Sequence, residues 1–440
     1  MRFADTKFLA AAALLGFSTV AFATDARIGA MGKTAKFIMD DVSIFDNPAN
    51  IGIYPNYLIG ELGTIDENAL VAGGRNVDPS PWFGGIFSLP LGGEDSRDPR
   101  ITIGGVFNRT DSWASLLPDK VILPTSQGDS LVPLPELTTN FDGFLGGSTP
   151  SGNLYAAHIY VGMQDGAIPQ QNYETNSLAF ASIVKFDLGV NWQVNEDVDL
   201  EVSAGLGRVA YGESDKDFFD AGEFSWWGKG RLFSTIEQIN GELVPEVEAS
   251  YIQAGDGMED LNVGAGMGVN MAMDRGFFWL GLEGFYHNTS TEGFSVADDG
   301  SVVYNAANGS YPGTDVVTTT GGVLSFGIER NVFWDWFVVR VGGRKVIAYV
   351  DCQDGDEYGG KDANGKDMAF CQGSMKSEGN FWMTNPTGDG TLSDQIGWGW
   401  GINVEEKLKI DVVMAEDFLY RNPFQGGRLW ISRVSATYSF

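Results

Sequence analysis

The chain has 440 residues, of which 59 are glycine, and 12% of its residues are aromatic. Aspartate and glutamate outnumber lysine and arginine by 58 to 28, which gives a formal net charge of −30. Because binding to nucleic acid needs a basic surface, this balance argues against a nucleic-acid partner. The sequence has only two histidines and no nucleophile-elbow or zinc motif. We therefore expect neither an enzyme nor a cofactor.

The first residues have the pattern of an export signal. Arg2 and Lys7 precede the apolar run FLAAAALLGFSTV, and AFA forms a small-x-small cleavage site that ends at Ala23. The run is too short to cross a bilayer, and no later stretch offers about 18 apolar residues without a charge. We expect residues 1–23 to be a signal peptide; the alternative is a buried N-terminal helix. An exported chain of this kind is secreted, periplasmic or an outer-membrane barrel.

Residues 24–50 precede the first predicted strand and do not alternate in polarity. The stretch KTAKFIMDD (33–41) predicts a short helix, and DNPAN predicts a turn, because Pro48 lacks a backbone donor and restricts Asn47. We treat residues 24–50 as one N-terminal unit and residues 51–440 as the domain that follows.

From residue 51 onward, alternation with a period of two predicts strands. In LAFASIVKFDLGVNW, apolar residues such as Phe186 and Leu188 alternate with Lys185, Asp187 and Gly189. The polar face is rich in glycine and lone charges, and the strands reach about 10–15 residues, longer than most strands of soluble sheets. A transmembrane antiparallel β-barrel explains both features, with its apolar face towards lipid and its polar face towards the lumen.

The predicted barrel has about fourteen strands. They lie near residues 54–62, 69–75, 82–90, 100–109, 154–163, 177–194, 198–211, 260–272, 277–287, 321–330, 336–349, 394–404, 408–416 and 428–440. From residue 195 onward tight connections alternate with long ones, as short periplasmic turns and long external loops do in bacterial barrels. The long ones are 212–259, 288–320 and 351–393.

The segment 110–153 conflicts with this alternation. Fourteen strands with both chain ends in the periplasm place this long segment on the periplasmic side, against the rule. Either it hides a strand around residues 141–147, or one early strand is misassigned. Its apolar residues offer an external groove for a hydrophobic molecule; the alternative is a loop folded onto its own small core. The groove candidates are Trp113, Leu116, Leu117, Ile122 and Leu123.

An acidic, glycine-rich segment lies between the two cysteines of the chain. Because an exported chain reaches an oxidising compartment, we expect a disulfide between Cys352 and Cys371; the alternative is two unpaired thiols. Weak candidates for a cation site are Asp351, Asp354, Asp356 and Glu357. Their spacing does not match the calcium-binding loop, which needs oxygens at fixed positions. We therefore predict no metal, but a solvated loop tied by the disulfide.

Parts of the N-terminal unit resemble a known family. Ala30-Met31-Gly32, Asp40-Asp41-Val42-Ser43 and the run from Phe45 to Asn50 are similar to the amino-terminal segment of the FadL-like outer-membrane family, where Gly-Met-Gly, ADDAS and YNPAG patterns precede the barrel. Lys33 and Asp46 depart from the family pattern. The resemblance implies a fourteen-stranded barrel whose lumen the N-terminal segment closes as a hatch. It implies that the residues of the hatch or ligand path are Asp40, Asp41, Phe45, Asn47, Pro48 and Ala49.

The resemblance also implies a function. Hydrophobic or amphipathic small molecules would enter from outside and leave laterally or past the hatch. A relative of the family instead serves as a partner of secretion machinery. Three alternatives therefore remain: a gated uptake channel in the cell outer membrane, a structural or secretion-partner barrel without transport, and a general diffusion porin.

The chain ends in RVSATYSF, which alternates to its last residue. Val434, Ala436, Tyr438 and Phe440 share one face, and Arg433, Ser435, Thr437 and Ser439, which we expect to face the lumen, share the other. We expect the first face to meet outer-membrane lipid. The terminal Phe440 also resembles the signal that the outer-membrane assembly machinery reads. The expected partners are therefore lipid, a hydrophobic small molecule and that machinery.

Overall fold

The computed structural model describes residues 25–32, 36–64, 81–91, 99–117, 120–125, 128–166, 179–213, 224–255, 258–292, 295–296, 302–303, 314–353, 379–383, 394–405, 407–414 and 431–440. They form an all-β, closed, antiparallel barrel. Within these ranges, no helix is long and apolar enough to cross a membrane. The predicted signal peptide at 1–23 lies outside the described residues.

Strands account for most of the described chain. The first ten are β1 Tyr57–Thr64, β2 Trp82–Pro90, β3 Arg100–Phe107, β4 Lys120–Thr125, β5 Gly128–Pro133, β6 Thr139–Ser148, β7 Leu154–Gly166, β8 Ala179–Asn195, β9 Val198–Glu213 and β10 Ser225–Ile236. The others are β11 Gly241–Ala254, β12 Met258–Met273, β13 Gly276–Glu292, β14 Ser295–Val296, β15 Val302–Val303, β16 Thr314–Asn331, β17 Phe337–Gln353, β18 Gly379–Met383, β19 Gln395–Val404, β20 Leu408–Met414 and β21 Ile431–Ser439.

The described strands close a barrel of sixteen positions rather than fourteen. The first and last strands pair antiparallel, with Tyr57 opposite Ser439 and Gly60 opposite Ala436. One position is shared by β18 and β19, which pair with consecutive stretches of β17. Two short hairpins, β4–β5 and β14–β15, lie outside the ring.

The strand count was wrong because three strands were missed. One is β6, the strand suspected around 141–147, and the others are β10 and β11, which occupy much of the predicted loop 212–259. Apolar alternation fails in β10, because its outward positions include Gly228 and Gly230 while Lys229 and Arg231 face inward. The predicted strand 69–75 lies outside the described residues.

The extra strands remove the conflict at segment 110–153. Tight turns join β8 to β9, β12 to β13 and β19 to β20 at the end of the barrel that also holds the C-terminus. The connection between β3 and β6 lies at the opposite end, together with the other long connections. It contains a 3-10 helix, Ser112–Leu116, and the β4–β5 hairpin. The alternation of short and long connections now holds around the barrel except between β11 and β12, which only residues 255–257 join.

The two faces of the wall differ as the alternation predicted. On β8, Phe186 and Leu188 point outward with 48% and 55% of their surface exposed, while Lys185 and Asp187 are buried inside the barrel. The last strand follows the same rule: Ala436 and Tyr438 point outward, and Ser435 and Thr437 are buried inside. The predicted faces of RVSATYSF are therefore confirmed.

The N-terminal segment has a short helix, α1, at Asp25–Ala30, and two 3-10 helices, Asp41–Ile44 and Pro48–Gly52. The helix predicted over 33–41 was wrong for the described residues 36–41, which form no α-helix. The cause lies in the barrel wall. Arg231 donates hydrogen bonds to the carbonyls of Lys36 and Ile38, and Asn270 donates one to the carbonyl of Phe37. These carbonyls are therefore bonded to the wall.

Candidate functional site

The N-terminal segment lies inside the barrel and packs against the inward faces of many strands. Met31, Ile44 and Ile51 are fully buried. The helix α1 comes so close to β17 that a Cβ atom on Gly342 would lie 2.5 Å from the carbonyl oxygen of Met31. The segment pairs with no described strand of the barrel, since β1 and β21 close the ring without it.

One group of ion pairs joins the segment to β16, β17 and β20. Arg27 lies 2.6 Å from Glu329 and 3.3 Å from Asp40. Arg340 bridges the same Glu329, at 2.5 Å, to Asp411, also at 2.5 Å. The ion pairs at the point where α1 and Asp40 approach the wall are therefore buried and lie close to one another.

A second group lies on the neighbouring strands β10, β11 and β13. The Lys36 ammonium is 2.5 Å from Glu248 and 2.6 Å from Glu283. Burial acts to lower the pKa of Lys36, but these carboxylates outweigh it and hold that pKa above its ordinary value. Lys229 of β10 lies 3.0 Å from Asp46 of the segment. The ammonium of Lys36 is thus kept charged, and the three pairs fix the segment to β10, β11 and β13.

The Asn-Pro-Ala stretch forms a cap rather than a simple turn. The side chain of Asn47 accepts a hydrogen bond from the backbone N–H of Ala49 at 3.1 Å, and Pro48 occupies the first turn of the 3-10 helix, where no backbone donor is needed. Asn47 also donates to the carbonyl of Val190. A Cβ atom on Gly189 would lie 2.0 Å from the Asn47 side-chain oxygen, so the wall requires glycine there.

Phe45 lies in an apolar part of the lumen. Its ring packs edge-on against Trp82, with 6.1 Å between centroids, and against Phe144 at 5.8 Å. The guanidinium of Arg109 covers the ring at 3.9 Å. The buried members of this apolar cluster are Ile44, Ile51, Tyr54, Tyr57, Ile59, Trp82, Ile86, Val106, Phe144 and Ala156. The six predicted hatch residues are thus brought together inside the barrel; their role as a hatch remains a prediction.

The start of the β3–β6 connection also folds into the barrel. Arg109 pairs with Asp142 of β6 at 2.5 Å, and Asp111 caps the helix Ser112–Leu116 by accepting from the N–H of Trp113. Burial raises the pKa of the Asp111 carboxyl, but Lys185 and Arg109 outweigh it, so that this pKa lies below its ordinary value. The carboxylate therefore stays charged.

The predicted external groove is only partly described. Trp113 and Leu117 are buried against inward-facing residues at the long-loop end, and Leu116 packs partly buried against them. Ile122 and Leu123 lie in β4, where side chains are not described. The groove stays a prediction. The buried cluster consists of Trp113, Ala114, Leu117, Leu134, Tyr160, Ala179, Ala181, Ile183, Val209, Ile252 and Ala254.

Sequence reasoning missed a buried charged contact at His158. Its Nδ1 lies 2.7 Å from Asp187 and its Nε2 lies 2.9 Å from Asp142, and Trp227 donates to Asp187 at 2.6 Å. Both ring nitrogens can donate only in the imidazolium form. The sequence placed His158 on the inner face, but only the register of β6, β7 and β8 brings the two carboxylates beside it.

The cysteine and acidic candidates lie at the margin of the described chain. Asp351 and Cys352 belong to β17. Cys371, Asp354, Asp356 and Glu357 lie outside the described residues, so the disulfide remains a prediction. In the described ranges, no group of three or more histidine, cysteine, aspartate or glutamate side chains is placed to hold a metal ion.

Neither a protein-family model nor a curated protein matches the sequence. Among solved structures, CdiB from Escherichia coli is 10% identical with a TM-score of 0.41, and the match covers 88% of this chain and 63% of CdiB. BamA from Haemophilus ducreyi, lacking POTRA domains 1–3, is 8% identical with a TM-score of 0.37, covering 87% and 70%. The ferric yersiniabactin uptake receptor FyuA from Yersinia pestis is 8% identical with a TM-score of 0.28, covering 88% and 80%. At these scores the similarities carry no argument about substrate or partner.

Proposed function

We propose that the chain is an outer-membrane barrel through which hydrophobic or amphipathic small molecules pass, with the N-terminal segment as its gate. One observation carries this proposal. The segment fills the lumen, yet the ring of strands closes through β1 and β21 without it. The segment can therefore leave the lumen by breaking side-chain contacts, while the strand pairing of the wall stays intact.

The outer face supports a membrane location. Large apolar side chains point outward around the ring, which suits contact with lipid and is unfavourable in water. Examples on separate strands are Leu62, Phe83, Leu145, Leu188, Leu206, Val247, Leu282 and Ile347. Polar and charged side chains point inward instead, as Lys185, Glu201 and Asp411 do. This is the arrangement of a barrel that is surrounded by lipid.

The inner surface supports an apolar cargo. One apolar cluster, which includes Trp113, Leu117 and Ile183, lies at the long-loop end. A second surrounds Phe45 and includes Trp82 and Phe144. Movement of the segment would uncover the second cluster, giving a hydrophobic molecule apolar surface deeper in the barrel. A diffusion porin for polar solutes needs an open, polar lumen, which this conformation lacks in its described part.

The second candidate is a structural or secretion-partner barrel without transport. The filled lumen favours it, because the described ion pairs hold the segment against β10, β11 and β16. The two candidates differ in whether loosening the segment changes the passage of small molecules.

Uptake of a labelled long-chain fatty acid separates them. We would compare cells that lack the gene, cells with the wild-type chain, and cells with the double substitution Lys36→Ala/Lys229→Ala, which removes three ion pairs of the segment. The control, Lys345→Ala/Lys407→Ala, removes the same charge from exposed positions. A channel predicts faster uptake with the wild type than without the gene, and a further change only in the first double variant. Equal uptake in all strains, at equal amounts of protein in the outer membrane, would overturn the proposal.

A further inference from the structure

Two neighbouring carboxyl groups of the N-terminal segment, those of Asp40 and Asp41, are fully buried inside the barrel. Arg27 pairs with Asp40 at 3.3 Å, whereas the described contact of the Asp41 carboxyl is the neutral hydroxyl of Thr437, also at 3.3 Å. Asp41 is therefore a buried carboxyl without an ion pair in the described chain, and such a setting favours its protonated form. The Oδ1 atom of each carboxyl has no donor among the described residues.

The charges around the pair lead to the same conclusion. Three cationic side chains belong to the same cluster: Arg27 of α1 pairs with Asp40, Arg340 of β17 joins Glu329 to Asp411, and Lys409 of β20 lies near Asp41. Four carboxyls share the same region, because Glu329 of β16 and Asp411 of β20 join Asp40 and Asp41. With every group ionised, the buried cluster carries one excess negative charge. A single bound proton makes it neutral, which burial strongly favours.

The other groups that face the pair do not neutralise this excess negative charge. Thr437 of β21 donates to Asp41 at 3.3 Å through its hydroxyl, and Tyr54 and Tyr57 also face the pair. Burial raises the pKa of Tyr54, so its hydroxyl stays neutral. Glu61 of β1 is matched by Arg433 of β21 at 3.1 Å and therefore adds no net charge.

We propose that the Asp40–Asp41 pair is a proton-binding site that latches the N-terminal segment in the lumen. One proton, bound at the pair, holds the segment in place. When the proton leaves to water, two adjacent carboxylates repel each other in a buried site and the segment loosens. This inference concerns how the segment is held, and it does not require that the barrel transports anything.

The direction of the pH effect follows from the titration of the pair. Burial, together with the charge of Asp40, raises the pKa of the Asp41 carboxyl well above its ordinary value of 3.8. A group whose pKa is higher in the seated state binds its proton more tightly there, so its stabilising effect is complete below the ordinary pKa. The effect is lost as the pH rises through the pKa of the seated state. The segment is therefore held more weakly as the pH rises.

Asp46 provides a matched control in the same segment. Its side chain keeps 45% of its surface accessible to the lumen, although it lies within the barrel. Burial acts to raise its pKa, but Lys229 and Arg231 outweigh this, so the pKa of Asp46 is lowered below 3.8. Asp46 is thus ionised throughout the neutral and alkaline range. Asp46→Asn therefore serves as the control for the infrared measurement, because it removes an ionised carboxyl and leaves Asp40 and Asp41 in place. The cleavage comparison uses Asp41→Asn alone, since Asp46→Asn also breaks the pair with Lys229.

The test uses the full-length protein in lipid vesicles, as wild type, Asp41→Asn and Asp46→Asn. Infrared spectroscopy at neutral pH should detect one more protonated carboxylic acid in the wild type and in Asp46→Asn than in Asp41→Asn. Trypsin cleavage after Lys36 measures release of the segment, and Asp41→Asn is compared with the wild type at the same pH. With rising pH, cleavage of the wild type relative to Asp41→Asn should increase, by at most about ten-fold per pH unit, the limit for release of one proton.

The proposal fails if the wild type lacks this additional protonated carboxyl, or if Asp41→Asn keeps both that signal and the wild-type dependence of cleavage on pH. Dependence on the concentration of sodium or potassium instead of pH would also overturn it, because a cation would then occupy the site. If Asp41→Asn does not assemble, Asp40→Asn serves as the second variant for the infrared measurement. It removes the same excess charge, so persistence of the additional carboxylic acid signal in that variant would contradict the proposal.

Discussion

The guanidinium of Arg109 lies over the ring of Phe45, with 3.9 Å between the guanidinium carbon and the ring centroid. The same guanidinium pairs with Asp142 on the wall, through Nε at 3.0 Å and through a second nitrogen at 2.5 Å. Arg109 thus joins three parts of the molecule: the inward-folded β3–β6 connection, the wall strand β6 and the N-terminal segment. The contact combines a cation–π interaction with a bidentate ion pair.

Replacing Arg109 by alanine should destabilise the barrel. Loss of one partner of a buried ion pair leaves a buried charge, and we expect the free energy of unfolding to fall by about 3 kcal/mol. Arg109→Lys keeps the charge but loses the planar, bidentate geometry, so its loss should be smaller. Urea unfolding in lipid vesicles measures both. The control is Arg275→Ala, whose exposed pair with Asp335 should contribute less than about 1 kcal/mol; equal losses at both sites would contradict this account.

Gly189 should be essential for seating the N-terminal segment. A methyl group at this position would collide with the Asn47 side chain and break the cap of the helix Pro48–Gly52. Gly189→Ala should therefore speed trypsin cleavage after Lys36 at a fixed pH. At Gly228 the nearest atom to an added methyl group is 3.8 Å away, so Gly228→Ala is the matched control and should leave cleavage unchanged. Unchanged cleavage in Gly189→Ala would show that the segment does not rest on this wall.

The outer face should tolerate charge poorly. Leu188 points outward from the middle of β8, and an arginine there would place a charge in lipid at a cost of about 2–4 kcal/mol. Glu196→Arg, in the tight turn after β8, introduces arginine outside the lipid and should have little effect. Unfolding in vesicles and the shift in gel mobility on heating measure the stability of both variants. If Leu188→Arg is as stable as the wild type, the outer face of β8 does not meet lipid.

Phe440 should matter for assembly. Its backbone N–H donates to the carbonyl of Asn56 at 3.1 Å, and its ring lies 5.7 Å from that of Phe87. These contacts hold the last residue at the seam where β21 meets β1. Deletion of Phe440 should lower the amount of folded protein in the outer membrane, whereas Phe333→Ala, at an exposed aromatic residue in the β16–β17 turn, should not. Quantitative blotting of heat-modifiable protein in outer-membrane fractions measures both.

The faces of the strands could be predicted from the sequence because alternation is a local property. It correctly placed Lys185 and Asp187 inside and Tyr438 outside. The hairpin β10–β11 was missed because its outward side includes glycine and its inward side carries charges that the barrel neutralises in pairs, such as Arg231 with Glu201. Local reasoning cannot see a charge partner on another strand, and such a strand resembles a solvated loop.

The candidate site was predictable only in part, for a related reason. The unit 24–50 was set apart because it lacks alternation and contains an Asn-Pro-Ala stretch, and the structure places its described residues together in the lumen. Its internal form was not predictable, because wall residues such as Asn270 bond its carbonyls. The contact of His158 with Asp142 and Asp187 depends on the register of three strands, which turn geometry and packing set over long range.

The ion conductance of the purified full-length protein in a planar lipid bilayer tests the central claim most directly, namely that the N-terminal segment closes a membrane barrel. The account predicts little conductance for the wild type and a clear increase for Lys36→Ala/Lys229→Ala, which removes the pairs with Glu248, Glu283 and Asp46. The control Lys345→Ala/Lys407→Ala should stay closed like the wild type. A wild type that conducts as a wide, permanently open pore would contradict the account. So would a double variant that stays closed after trypsin cleavage at Arg27, a site that remains in this variant, has shown its segment to be released.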